Sequence, residues 1–174
     1  MTLAHLTGAS GLLDGLLHPF AGIDHLLAMV VVGTLAYLLR DRLRWMVLPS
    51  VFVGGMAIGG ALGIAGVSFG ATELFVAASV ALLGVLLLAA TTRVEVRSLA
   101  AVVAAAALFH GLAHGGEVPA AASPALYVAG FLAATAALHV TGVVAGPVVA
   151  RWRPVRVLAG TAVAAAGVAL LAGV

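Results

Sequence analysis

The chain has 174 residues, of which 64% are hydrophobic and 8% charged, and its mean hydropathy of +1.25 excludes a soluble domain, in which roughly a quarter of the residues carry charge. The lack of cysteine excludes disulfides, iron–sulfur clusters and thiolate metal sites. The net charge of +2 reflects 8 basic residues, all arginines between apolar stretches, so it does not indicate a nucleic-acid partner.

Apolar stretches long enough to cross a bilayer follow one another along the chain, separated by short polar segments. They predict an all-α polytopic membrane protein, a bundle of about six transmembrane helices that forms one transmembrane domain over residues 1–174. Spans of about 20 residues each use up a chain of this length. The predicted spans cover residues 18–39, 46–66, 73–91, 98–114, 124–149 and 155–173.

The first span opens with a motif of ionisable residues, His18-Pro19-Phe20-Ala21-Gly22-Ile23-Asp24-His25. Ionisable groups at membrane depth are costly and usually functional. If one helix runs through the motif, His18 and His25 share a face about 10 Å apart along its axis. Pro19 either occupies the first turn of that helix or breaks a longer helix that begins near Gly11. Both arrangements free backbone carbonyls near His18.

The next two spans carry features to which we assign structural roles. Gly55, Gly59 and Gly63 recur at every fourth position of the second span and predict a close-packing helix face with no ligand role. Glu73 opens the third span, where an acid in the first turn is favoured by the helix dipole.

The fourth span ends in a second motif, Phe109-His110-Gly111-Leu112-Ala113-His114-Gly115-Gly116-Glu117. His110 and His114 are four residues apart and share a helix face, a spacing that lets two imidazoles bind one ion. The glycine pair ends the helix and Pro119 prevents its resumption, so Glu117 can fold back toward the same ion. In the fifth span His139 stands alone, and a structural role and a relay role have equal weight for it.

The arginines predict the orientation of the bundle. They lie in three of the loops, namely Arg40, Arg42 and Arg44, then Arg93 and Arg97, then Arg151, Arg153 and Arg156. The positive-inside rule places these loops in the cytoplasm and both termini outside, which puts both histidine motifs on the outer side of the inner (plasma) membrane. The first seventeen residues contain no lysine or arginine, which is not typical of a secretory signal peptide.

The two motifs together predict a metal site with nitrogen and oxygen ligands. Its members are His18, Asp24, His25, His110, His114 and Glu117. This donor set suits nickel, cobalt, zinc or copper(II) and is too rich in nitrogen for magnesium or calcium. The carboxylates bind the ion directly or orient the imidazoles from behind. We expect the metal to be the substrate, and we expect no prosthetic group and no catalytic residue.

At these motifs the sequence resembles the HupE/UreJ family, hydrogenase- and urease-accessory membrane proteins regarded as nickel permeases. The family pattern His-Pro-x-x-Gly-x-Asp-His matches His18, Pro19, Gly22, Asp24 and His25. The pattern His-Gly-x-x-His-Gly-x-Glu matches His110, Gly111, His114, Gly115 and Glu117. The hydropathy profile matches over the whole chain. The resemblance implies nickel as the likeliest ion, with cobalt or zinc as alternatives.

The function expected from the residues and the resemblance is uptake of a divalent transition-metal ion through an outward-facing site, with no enzymatic activity. Eight-helix nickel/cobalt transporters rank lower, because they place four residues between His and Asp-His, where this chain has five. Two alternatives remain, an intramembrane zinc metalloenzyme and an accessory protein that holds metal without transporting it. The expected partners are the metal ion and the lipid bilayer, and the sequence is compatible with a monomer or a homo-oligomer.

Overall fold

The computed structural model describes residues 7–89, 95–118 and 123–173, so Arg93, Pro119 and the end of the third predicted span lie outside the described residues. The described part of the chain is helical and contains no strand, which confirms the predicted all-α class. The helices are α1 (Thr7–Leu17), α2 (Ile23–Leu38), α3 (Val47–Ile64), α4 (Thr72–Ala89), α5 (Val96–Gly115), α6 (Pro124–Arg151) and α7 (Arg153–Leu171).

Five of these helices, α3 to α7, are each long and apolar enough to cross a membrane. Helices α1 and α2 pass the same test only as a pair, bent by 79° at the break between them. The described residues therefore provide five helices that could each span a membrane, or up to 6 possible spans when the bent pair is taken as one.

The first predicted span is broken where Pro19 stands. A short 3-10 turn, His18–Phe20, follows α1, and Gly22 is extended (φ −103°, ψ 120°) before α2 begins. Proline has no N–H to continue a helical ladder, and glycine adopts the extended conformation with little steric cost. The expectation that His18 and His25 share a face of one continuous helix is wrong, and the alternative, a longer helix broken at Pro19, is the one found.

Glycine allows α3 and α5 to approach each other closely. A Cβ atom at Gly59 would collide with the backbone carbonyl of Leu108, and one at Gly63 would meet the backbone of Gly115. From the other side, Gly111 lies against the backbone of Met56. These contacts confirm the predicted close-packing face, and they hold the last turns of α5 in place, because close backbone packing is a main source of helix association in lipid.

Other helix pairs approach each other in the same way. Gly33 of α2 lies against the backbone of His139 in α6, and Gly84 of α4 lies against that of α7 at Ala164. The bundle has two distinct ends. The histidine end carries the start of α2 and the end of α5, and the arginine end carries the loop from α2 to α3 and the junction of α6 and α7.

Candidate metal centre

All six predicted site residues meet in one network of side-chain contacts at the histidine end. Three elements bring them together: the 3-10 turn after α1, the first turn of α2, and the last turns of α5 with the residues that follow. The network consists of His18, Asp24, His25, His110, His114 and Glu117.

The outer part of the network is a group that we call the mouth triad, formed by His18, His114 and Glu117. His18 Nε2 lies 2.7 Å from His114 Nδ1 and 3.0 Å from Glu117 Oε2, and the latter two atoms are 2.8 Å apart. The Glu117 side chain is 53% exposed and that of His18 is 27% exposed. Three ligand atoms so close together, and in contact with solvent, form a group that can hold a metal ion.

Glu117 reaches the triad because α5 ends just before it. Its backbone N–H donates to the carbonyl of His114 (3.1 Å), which turns the chain back over the helix terminus and confirms the predicted fold-back. Hydrogen bonds from His114 and His18 hold the pKa of the Glu117 carboxyl well below its usual range. The mouth therefore keeps a full negative charge across the physiological range, next to the negative end of the α5 dipole, and both favour a cation.

A second, buried group lies beneath the triad, and we call it the deep trio: His25, His110 and His114. His25 Nε2 lies 3.0 Å from His110 Nδ1 and also contacts His114 Nε2. The three residues are 4%, 0% and 8% exposed. The contact between His25 and both α5 histidines confirms that His110 and His114 present one face. His114 belongs to both groups, through a different ring nitrogen in each.

Hydrogen-bond partners on the far side of the deep trio determine the tautomers of two of its imidazole rings. Asp24 Oδ1 lies 3.0 Å from His25 Nδ1, so this nitrogen donates. The hydroxyl of Ser79 donates to the carbonyl of Val76 (2.7 Å) and is therefore an acceptor for His110 Nε2, which lies 3.0 Å away. An imidazole that is neutral and donates through one nitrogen has a lone pair on the other.

The third ring follows the same rule. In the tautomer in which His114 Nδ1 donates to Glu117, the lone pair of His114 lies on Nε2. In the neutral deep trio with this tautomer, His25 Nε2 then faces one ring nitrogen of His110 and one of His114 without a hydrogen between them. Lone pairs so close together repel unless a cation lies among them, and imidazoles fixed from behind by carboxylate or hydroxyl groups are the usual arrangement of metal-ligating histidines. The arrangement suits a transition-metal ion.

Two residues at the centre were not recognised as site residues from the sequence. Glu73 lies in the first turn of α4, as expected, but it also lines a cavity of about 230 Å³ that touches both groups of ligands. Ser79 is the buried partner of His110, and a single serine in an apolar helix gives no signal of such a role. Gly22 also matters, because a Cβ there would lie 2.6 Å from Asp24 Oδ1 and disturb its contact with His25.

Comparisons with known proteins agree with the motifs. The family model described as HupE / UreJ protein matches residues 1–170. Protein HupE of Rhizobium leguminosarum bv. viciae is 49% identical over 173 residues, an alignment that covers 95% of this chain and 86% of that protein. No solved structure gives a significant match. The chain therefore belongs to the HupE/UreJ family.

Proposed function

We propose that this protein takes up a divalent transition-metal ion, nickel in the first instance, across the inner membrane by way of the mouth triad and the deep trio. Membership of the HupE/UreJ family implies a nickel or cobalt accessory or permease-like role, and proteins of this family are not known as enzymes. The observation that carries the proposal is the deep trio, in which His25 contacts both α5 histidines while Asp24, Ser79 and Glu117 lie against the other nitrogens of the three rings.

The mouth triad offers two imidazole nitrogens and one carboxylate oxygen, which approach one another to 2.7, 2.8 and 3.0 Å. This donor set suits nickel, cobalt or zinc, and the family membership favours nickel or cobalt among them. Three protein ligands leave further coordination positions for water molecules that arrive with the ion.

His114 links the two groups and makes them alternatives. A neutral imidazole has one lone pair, so His114 binds an ion through Nδ1 in the mouth triad or through Nε2 in the deep trio. With the ion in the deep trio, His114 carries its hydrogen on Nδ1, which donates to Glu117. With the ion in the mouth triad, it carries its hydrogen on Nε2, and the two tautomers exchange through solvent protons that reach the exposed mouth. The shared ring thus passes the ion from one group to the other and opposes the binding of two ions at once.

The membrane potential is sufficient to drive this movement. Two positive charges that enter an inside-negative cell gain about 4.6 kcal/mol per 100 mV, at about 2.3 kcal/mol for each charge. The direction follows from the positive-inside rule, which places the arginine end in the cytoplasm and the mouth triad outside.

The proposal is tested by influx of radioactive nickel into liposomes that contain the purified protein, with an imposed inside-negative potential. Glu117→Gln and Glu95→Gln form a matched pair, because each removes one exposed carboxylate whose pKa is lowered by hydrogen bonds. Glu95 caps the start of α5 at the arginine end, where it accepts from the N–H groups of Arg97 and Ser98. We expect Glu117→Gln to reduce influx at sub-saturating nickel about tenfold or more, because the ion loses a charged ligand. We expect Glu95→Gln to change influx less than about twofold.

The outcomes separate the proposed function from its alternatives. Nickel binding by the wild type without potential-driven influx would contradict transport and favour an accessory protein that holds metal. Equal losses in the two variants would contradict the role of Glu117 as a ligand. Both variants are to be compared at equal amounts of monodisperse protein.

A further inference from the structure

His139 is a buried polar residue that the metal centre does not use. It lies in α6 and is 2% exposed, and neither of its ring nitrogens makes a hydrogen bond of ordinary geometry among the described residues, the nearest polar group being the backbone of Thr135 one turn earlier in the same helix. Buried polar groups in proteins nearly always have a partner, which is a neighbouring group, a water molecule or an ion. The position of His139 indicates which partner it meets.

His139 lies deeper in the bundle than the metal centre. The Phe131 ring, one of those around the mouth, has its centroid 4.7 Å from that of His114. His139 follows Phe131 by eight residues, which is about 12 Å along α6 toward the arginine end at 1.5 Å per residue. An ion that leaves the deep trio in the inward direction therefore approaches His139.

One aromatic ring stands between His139 and the deep trio. Phe52 of α3 is 0% exposed, and its ring centroid lies 5.8 Å from that of His110 and 5.1 Å from that of His139. The face of an aromatic ring attracts cations, so Phe52 separates the two imidazole positions without forming a strongly repulsive barrier to a metal ion.

On its other side His139 borders a groove between α3 and α6. The groove has a volume of about 470 Å³ and extends to the arginine end, where Trp45 and Ser50 line it. It is large enough for several water molecules. Trp45, Ser50 and His139 contribute polar side-chain groups to a lining that is otherwise apolar.

We propose that His139 is a further ligand position for the divalent ion, which it binds transiently after the ion passes Phe52 and then releases into a water-filled groove. This inference depends on the proposed transport function. A single imidazole with water as the other ligands holds a divalent ion weakly, and weak binding is what an exit position requires.

The absence of cysteine from the chain permits a direct test. The His139→Cys variant, reconstituted as the full chain, contains one thiol, and a charged membrane-impermeant methanethiosulfonate is applied from each side of the membrane. We expect modification only from the arginine end, slowed at least fivefold by nickel. Leu138→Cys is the matched control, because Leu138 is 7% exposed, packs in the core and does not line the groove. Its thiol is expected not to react. A His139→Cys thiol that is unreactive from both sides would show that water does not reach this position, and it would overturn the proposal.

A second variant tests the role of the ring in transport. His139→Leu is expected to reduce nickel influx at least tenfold while the equilibrium affinity for nickel changes less than twofold, because both outer groups stay intact. The exit role would be overturned if His139→Leu transported nickel as fast as the wild type, or if its affinity for nickel fell as much as its influx. Absence of influx in the wild type, with the thiol still protected by nickel, would instead contradict the proposed function and leave His139 as a nickel ligand.

Discussion

The mouth triad and the deep trio place the same kind of ligand in two different environments. The Glu117 side chain in the triad is 53% exposed, whereas His110 in the trio is 0% exposed. The ligand atoms of the triad contact one another directly, while each ring of the trio has Asp24, Ser79 or Glu117 at its other nitrogen. Exposure allows fast exchange with hydrated ions, and burial with fixed ring orientation permits discrimination among metals. The comparison suggests that capture and selection are assigned to separate groups of residues.

The largest effect is expected for the residue that the two groups share. His114→Ala removes one ligand from each, and it leaves His25 Nε2 without a contact that it makes in the wild type. We expect nickel influx to fall more than about 100-fold, equivalent to roughly 2.8 kcal/mol. Liposome influx and equilibrium dialysis with nickel measure the two losses. Retention of either strong binding or influx would mean that one group functions without His114.

A pair of variants separates the two groups. His25→Ala removes the centre of the deep trio and is expected to reduce maximal influx about 30-fold or more, with binding at the mouth largely retained. His18→Ala removes a ligand of the mouth triad only, and it is expected to weaken nickel affinity about tenfold while influx at saturating nickel stays within about threefold. Concentration series of influx distinguish a loss of maximal rate from a loss of affinity. The opposite pattern would reverse the roles assigned to the groups.

A smaller effect is expected from acidification. Imidazole binds metal only when it is neutral, and its ordinary pKa is about 6.5. The pKa of Glu117 is lowered, so its carboxylate stays charged above that lowered value and does not titrate in this range. Influx at constant potential should therefore fall as the medium is acidified from about pH 7.5, because a protonated imidazole has no lone pair for the metal. Influx that rises or stays constant on acidification would contradict ligation by imidazole.

The smallest effect tests the orientation of the deep rings. Ser79→Ala removes the acceptor 3.0 Å from His110 Nε2 and leaves the ring in place. The loss of one such hydrogen bond amounts to about 0.5–1.5 kcal/mol, or about two- to tenfold in nickel influx. Ser79→Thr keeps a hydroxyl and serves as the control. Equal influx in Ser79→Ala and the wild type would show that other contacts orient the ring.

The sequence predicted the features that depend on local spacing. The four-residue spacing of His110 and His114 requires a shared helix face, and the glycine pair after them allows Glu117 to turn back. The glycine repeat of the second span predicted its close contact with another helix. Each of these follows from the geometry of a single helix and its end.

Features that depend on contacts between helices were not predictable from one sequence. The sequence allowed two conformations at Pro19, the first turn of a single helix or a break in a longer one. In the structure the helix is broken, and α1 packs against α6, where Gly130 lies against the backbone of Leu12. The partnership of Ser79 with His110 joins residues 31 positions apart in different helices. Which ring nitrogen faces which neighbour depends on such tertiary contacts, and helical periodicity carries no information about it.

The shortness of α2 also determines how the protein fits its lipid. With 16 residues it rises about 24 Å, some 6 Å less than a typical hydrocarbon core of about 30 Å. Because α2 alone is shorter than the hydrocarbon core, we expect the bilayer to thin beside the 3-10 turn that precedes it. Local thinning brings headgroups and water closer to the histidines. We therefore expect nickel influx to depend on the acyl-chain length of the lipid, and to be slower in thick bilayers because of hydrophobic mismatch.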